Sequence, residues 1–223
     1  RDLDGDFVFA HVGEFELASE DLTGSASAGG DDGGGSGVVG ASEQRSAEFF
    51  EPFDHTNERW LELALFPNRH YPPGENPSFE TLVRERDNLF RRHPETTFVT
   101  AHMGWHAHDL ERLAALLDSF PNVHTEIGAV LYEIGRQPRT ARAFFERYQD
   151  RILFGKDSFQ PGEYPYYWRV LETADEYFDY YRDYHAFWKL YGLDLPDDVL
   201  RKLYHGNALR LIPALDRGLF PEG

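Results

Sequence analysis

The chain has 223 residues, 39 of them acidic and 22 basic, which gives a formal charge of −17. That sign excludes a binder of nucleic-acid backbone or of an anionic membrane surface, because both need basic patches. Hydrophobic content of 41% and aromatic content of 15% exclude a disordered chain, and the lack of cysteine excludes disulfides and zinc–thiolate sites.

Phe7-Val8-Phe9-Ala10-His11 is the first strand candidate. Residues 24–37, GSASAGGDDGGGSG, cannot bury apolar surface and read as a flexible glycine-rich insertion within one domain spanning residues 1–223. Pro77-Ser78 opens a helix running to about Arg92, and His93-Pro94 closes it. A second strand covers 97–102. A helix over 109–120 follows, with Leu110, Leu113, Leu116 and Leu117 at helical spacing. The third strand covers 123–127, and a helix over 138–148 carries Ala141, Phe144, Phe145 and Tyr148 on one face. Ile152-Leu153-Phe154-Gly155 is the fourth strand. Aromatic-rich helices are expected over 167–181 and 184–191, and a last one over 196–204 whose acidic first turn suits the helix dipole. Alternating strand and helix, with near-continuous apolar strands, predicts α/β with a parallel sheet covered on both faces. Four strands are too few for a closed eight-stranded barrel, so the chain carries a small open sheet or half a barrel.

Three of the four strands end on a metal ligand or proton carrier: His11, His102 in Ala101-His102-Met103-Gly104-Trp105, and Asp157 in Gly155-Lys156-Asp157-Ser158. In α/β barrels the working residues sit at the C-terminal strand ends. Imidazole and carboxylate suit a borderline divalent ion. Glu126 ends the third strand; it faces the pocket or forms a buried pair with Arg136 or Arg139. Trp105 and the run Asn57-Glu58-Arg59-Trp60 are candidates to line a pocket. The plainer reading of that run is helix packing for Trp60 and a surface ion pair for Glu58 and Arg59. His124 reads as structural, the tyrosines of 164–184 as helical core and interface packing before a sugar-stacking platform, and Lys156 as pointing away from Asp157. Only Lys156, Lys189 and Lys202 are lysines. An acidic excess with so little lysine resembles proteins of salt-loving microbes, where concentrated salt screens the self-repulsion.

The stretch TTFVTAHMGWHAHDLERLAALLDSFPNVHTEIGAV, followed by RILFGKDSF, resembles the amidohydrolase superfamily. More narrowly it is similar to the amidohydrolase-related branch that contains aminocarboxymuconate-semialdehyde decarboxylase, γ-resorcylate decarboxylase and sugar lactonases. The tail with Asn207-Ala208 shares the likeness, which covers roughly residues 43–215 plus Phe7 to His11. The resemblance implies a (β/α)8 TIM-type barrel around one divalent ion, zinc by preference and manganese as the other candidate. It makes His11 the strand-five metal ligand and His102 the strand-six histidine that moves protons or holds the substrate carbonyl. Asp157 becomes the strand-eight aspartate, both metal ligand and base. The family's strand-one His-x-His pair has no counterpart here, since the single such motif, His106-Ala107-His108, follows strand six. The chain therefore reads as the C-terminal half of the barrel, strands five to eight.

The implied function is metal-dependent hydrolysis of a small polar ester, lactone or amide. The alternatives are non-oxidative decarboxylation of an aromatic or unsaturated acid, with Arg59, Arg136 and Arg139 as a carboxylate clamp, and a non-catalytic assembly component. Trp105, Glu126 and Arg136 are the substrate-binding candidates. Exposed strand edges predict a second copy or a partner chain that completes the barrel. The partners expected are a small-molecule substrate, with no nucleic acid and no membrane, and the expected compartment is the cytoplasm.

Overall fold

The computed structural model describes residues 46–72 and 74–220 in full and the backbone of Phe7–Ala10. His11 and the glycine-rich segment 24–37 lie outside the described residues.

Four strands, β1 (Phe7–Ala10), β2 (Thr97–Thr100), β3 (Val123–Glu126) and β4 (Ile152–Leu153), form one parallel sheet in the order β1-β2-β3-β4. The register pairs Phe9 with Val99, Val99 with His124, and Thr125 with Ile152. Among the described strands the order never reverses, so they show no switch point of the doubly wound kind. Successive parallel neighbours joined through helices are the arrangement of one half of a (β/α)8 barrel. The expected fold class is the one observed.

The helices are α1 (Trp60–Leu65), α2 (Phe79–Arg92), α3 (Leu110–Ser119), α4 (Leu131–Gly135), α5 (Pro138–Arg147), α6 (Tyr164–Glu172), α7 (Asp197–Arg201) and α8 (Asn207–Leu211). Ser78 caps α2 by accepting from Thr81 N at 3.2 Å, and Asp109 caps α3 by accepting from Arg112 N at 3.0 Å. On α2 the buried positions are Phe79, Val83, Arg86 and Phe90, a helical stripe interrupted by one arginine. Val123, Ile152, Leu113, Leu116, Phe144 and Phe145 belong to one hydrophobic core that holds the sheet against its helices. Among the described residues no helix is long and apolar enough to cross a membrane.

The aromatic segment differs from expectation. Helix α6 ends at Glu172, and residues 173–195 form no helix. The returning chain supplies the reason. Leu193 N donates to Val170 O, Asp194 N to Thr173 O, and Leu195 N to Leu171 O, so α6's last carbonyls are taken by a neighbouring segment. A side chain at Gly192 would start 1.9 Å from Thr173 O, which makes glycine obligatory at that close approach. Phe178 and Tyr180 are both buried, two residues apart, as an extended segment requires. Phe178 bridges Leu190 in antiparallel fashion. The tail also differs: between α7 and α8 lies a π-helical turn, Lys202–Gly206.

That turn closes part of the edge of β4 that faces away from β3. Phe154 N donates to Leu203 O at 2.8 Å, and Asn207 Nδ2 donates to Ile152 O and Gln149 O, both at 2.7 Å. At these positions the expected bare edge is covered by side-chain and turn groups. Asn207 is 1% exposed, so its removal leaves two carbonyls without a donor. Asn207→Ala is expected to lower unfolding free energy by about 2–4 kcal/mol. Denaturant titration of the two chains checks this; an unchanged midpoint would show that the edge is held otherwise.

Candidate active site

The C-terminal ends of β2, β3 and β4 bring together His102, Glu126 and Asp157. Past Thr100 the backbone enters a left-handed turn, with φ of 55° at His102, 53° at Met103, 59° at Gly104 and 62° at Trp105. This conformation costs roughly 1–2 kcal/mol for each non-glycine residue. It persists because its surroundings fix it. Met103 is fully buried, His102 N donates to Glu126 Oε1 at 2.5 Å, and Gly104 O accepts from Arg86 Nη1 at 2.6 Å.

Glu126 is the hub. Its second oxygen accepts from Gly128 N at 2.5 Å, so one carboxylate ties the loop after β2 to the loop after β3. Two glycines make room for it. A Cβ at Gly155 would lie 1.8 Å from Glu126 Oε2; one at Gly128 would lie 2.7 Å from that oxygen and 3.2 Å from Asp157 Oδ1. Burial raises the Glu126 pKa above the usual carboxylate value, and nearby Asp157 pushes the same way; His102 and the two backbone N–H donors oppose it.

His102 is buried, and its Nδ1 lies 2.8 Å from Gly128 O. A carbonyl only accepts, so Nδ1 carries the hydrogen, which leaves Nε2 as the nitrogen that can exchange a proton. Glu126 Oε1 and Asp157 Oδ1 stand 3.5 Å and 3.6 Å from the same Nδ1. The Asp157 side chain is 35% exposed, open to a ligand or water. The Trp105 ring packs on His102 with centroids 4.6 Å apart. Trp105 is itself buried with Phe79 and Val83. Lys156 turns away, onto Glu163 and Ser158 O. Tyr167 of α6 belongs to the tyrosine run read as packing, and it is 1% exposed. Burial first, then Tyr181, Asp157 and Glu126, push its hydroxyl pKa up, so it stays a phenol.

Several expectations change. Glu126 pairs with the His102 and Gly128 amides, not with Arg136 or Arg139. Arg136 is held away from that carboxylate by Glu58, at 3.0 Å to Oε1, by Glu133 Oε2 at 2.7 Å, and by the Trp188 ring. Arg59 is 1% exposed, so it forms no surface pair; it binds Glu133 and donates to His185 O at 2.8 Å. Trp60 is 42% exposed, so it is not packed under a helix. His124 is buried, as a structural residue should be.

A second polar group surrounds these arginines. Among the described residues, Glu48, Glu58 and Glu133 are the carboxylates near enough to one another to share an ion. Arg59 and Arg136 already occupy this group, so it is an ion-pair network. Burial lifts Glu133 to about 7 against the pull of Arg59 and Arg136. For Glu58 the hydrogen bonds and charge of Arg136 outweigh burial and hold it at about 2.

The amidohydrolase family model matches residues 70–214, the stretch that carries His102, Glu126 and Asp157. The chain belongs to this family. Amidohydrolase membership places it in a superfamily of hydrolases and decarboxylases. Two solved structures are similar to parts of it. An uncharacterised TIM-barrel protein from Bordetella bronchiseptica is 20% identical with a TM-score of 0.43, over 63% of this chain and 42% of that one. An amidohydrolase from Burkholderia multivorans with bound zinc is 16% identical with a TM-score of 0.37, over 77% of this chain and 65% of that one. The chain thus spans less than two thirds of the length of either structure. No curated protein matches it.

Gly155→Ala is expected to destabilise by about 2 kcal/mol or more, because displacing the Glu126 carboxylate strands two amide donors. In a Glu126→Ala background the same change should cost little, giving a coupling above roughly 1 kcal/mol. A double-mutant cycle in denaturant measures it, and additive losses would show that the glycine does not serve the carboxylate.

Proposed function

We propose that this chain carries the proton-handling half of a metal-dependent amidohydrolase acting on a small polar ester, lactone or amide. The observation that carries this reading is the convergence of His102, Glu126 and Asp157 at the ends of three adjacent parallel strands. Gly128 O holds the Nδ1–H of His102, which orients the Nε2 lone pair for accepting a proton or for hydrogen-bonding a carbonyl once protonated. Asp157 is the exposed carboxylate of the group and the base. Glu126 holds the two loops in register.

Asp157 and His11 would hold the divalent ion, zinc by preference or manganese. The described part of that donor set fits in its chemistry: the Asp157 side chain is 35% exposed and offers a carboxylate oxygen, a donor that suits a borderline divalent ion. When bound, the ion supplies Lewis acidity. The remaining strands of the barrel, and the other ligands, would come from a further segment or from a partner chain. A strand adding beside β4 would have to displace the Leu203 and Asn207 contacts. A decarboxylase would need a free arginine clamp; Arg59 and Arg136 are neutralised by Glu133 and Glu58, and Arg139 lies exposed on α5. The geometry therefore favours hydrolysis.

Elemental analysis after dialysis in molar salt, the condition proposed to suit the acidic excess, tests the reading. About one zinc or manganese ion per chain is expected, lost in Asp157→Ala and in His11→Ala. Hydrolysis of a panel of lactones, esters and amides should fall at least a hundredfold in His102→Ala. Metal retained undiminished in both ligand variants would contradict the assignment.

A further inference from the structure

We propose that Arg86, in the outer helix α2, is the positioning residue that sets His102 through the left-handed turn. The proposal rests on the reading of His102 as a working residue. Arg86 occupies a place in the apolar stripe of α2 and is fully buried. A buried guanidinium there needs partners, and each one it has is specific. Its Nε and Nη2 donate to Asp87 Oδ1 at 3.0 Å and 2.8 Å. Nη2 also lies 3.2 Å from His106 Nε2. Burial, then the Arg86 charge itself, holds the His106 pKa well below its ordinary value, so that ring is neutral and its Nε2 accepts. Asp87 and His106 together aim the remaining donor, Nη1, which bonds Gly104 O at 2.6 Å.

Gly104 is the third residue of the strained turn. Its missing side chain leaves room for the guanidinium: a Cβ would stand 3.2 Å from Arg86 Nη1 and 3.4 Å from Thr100 Oγ1, close enough to press on both. Two side chains hold the turn, Glu126 at its first amide and Arg86 at its third carbonyl, while Met103 O accepts from His106 N at 3.1 Å. Between the two side-chain contacts lie the His102 and Met103 peptides, whose left-handed conformation would relax if either contact were released. Relaxation would carry the His102 ring away from Gly128 O and the Trp105 ring away from His102. Arg86 has no hydrogen bond to the His102 ring or to the Glu126 and Asp157 carboxylates, so it acts on the site through backbone.

The test compares Arg86→Met, which keeps bulk without donors, with Arg86→Lys, which restores one donor. The readouts are the carbon-13 shifts of residues 102–105, which report φ, and the His102 Nδ1–H resonance bonded to Gly128 O. The Met variant should move these residues toward ordinary φ values and lose the Nδ1–H resonance; Lys should restore part of both. Where hydrolysis is measurable, kcat should fall at least tenfold in the Met variant with KM within twofold. A folded Met variant with native shifts over 102–105 would overturn the proposal. If the Met variant does not fold, the unaltered chain decides. A scalar coupling across Arg86 Nη1–H to the Gly104 carbonyl carbon is expected, and its absence would overturn the proposal too. These signals need neither metal nor substrate, so a chain without activity would sink the hydrolase reading while leaving this one to its own result.

Discussion

One carboxylate organises the site. Glu126 ends a buried strand, and each of its oxygens accepts a backbone N–H from a different loop. Burying that group raises its pKa, which is a measure of how strongly the site disfavours its charge. Two amide donors and the nearby imidazole offset the penalty, and two glycines without which the side chain would not fit surround it. The position of His102 and the approach of Asp157 both follow from this arrangement. The loop after β4 must be glycine at 155 for Glu126 to stand where it does, and Asp157 comes two residues later.

The strain in the turn at 102–105 is the complement of that constraint. Three non-glycine residues hold a conformation they would not adopt alone, and the buried contacts at both ends of the turn keep it. Farther out, Arg59 and Glu58 of the segment around 46–72 pair with Glu133 and Arg136, which tie it to the loop after β3 and the helix α4 that this loop enters. Buried pairs of this kind add little stability over apolar packing, but breaking one leaves an uncompensated charge. They fix where the loop can sit. The parallel strands give direction, the carboxylate gives register, and the ion pairs hold the surrounding wall.

Much of this was legible in the chain. Short β-branched runs alternating with amphipathic stretches gave the parallel sheet, since both periods are local properties. His102 and Asp157 stood out because they follow apolar runs directly. Glu126 was visible as a polar residue at a strand end, but its partners were not. A carboxylate suggests an arginine, and here backbone amides from a strained turn took that place. Arg86 left a trace in the stripe Phe79, Val83, Arg86, Phe90, where a charge falls on the buried face; its target, a glycine carbonyl, has no side-chain signal. For Arg59 the chain offers a surface pair with Glu58, a pocket wall or a carboxylate clamp; its buried partner Glu133 is far along the chain, where no local pattern points to it. The aromatic segment 173–191 misled, because aromatic residues at mixed spacing fit a helix as well as an extended chain. The hydrogen bonds that end α6 come from residues 192–195, which no local pattern reveals.

The central claim is that a single, largely buried carboxylate clamps the amides of His102 and Gly128. The most direct measurement follows both amide proton shifts against pH in the unaltered chain. Both should lie far downfield and move together with one midpoint, above the ordinary glutamate value because burial raises Glu126, and both should lose that response in Glu126→Gln. Two independent midpoints, or amides that ignore the pH and the substitution, would contradict the account.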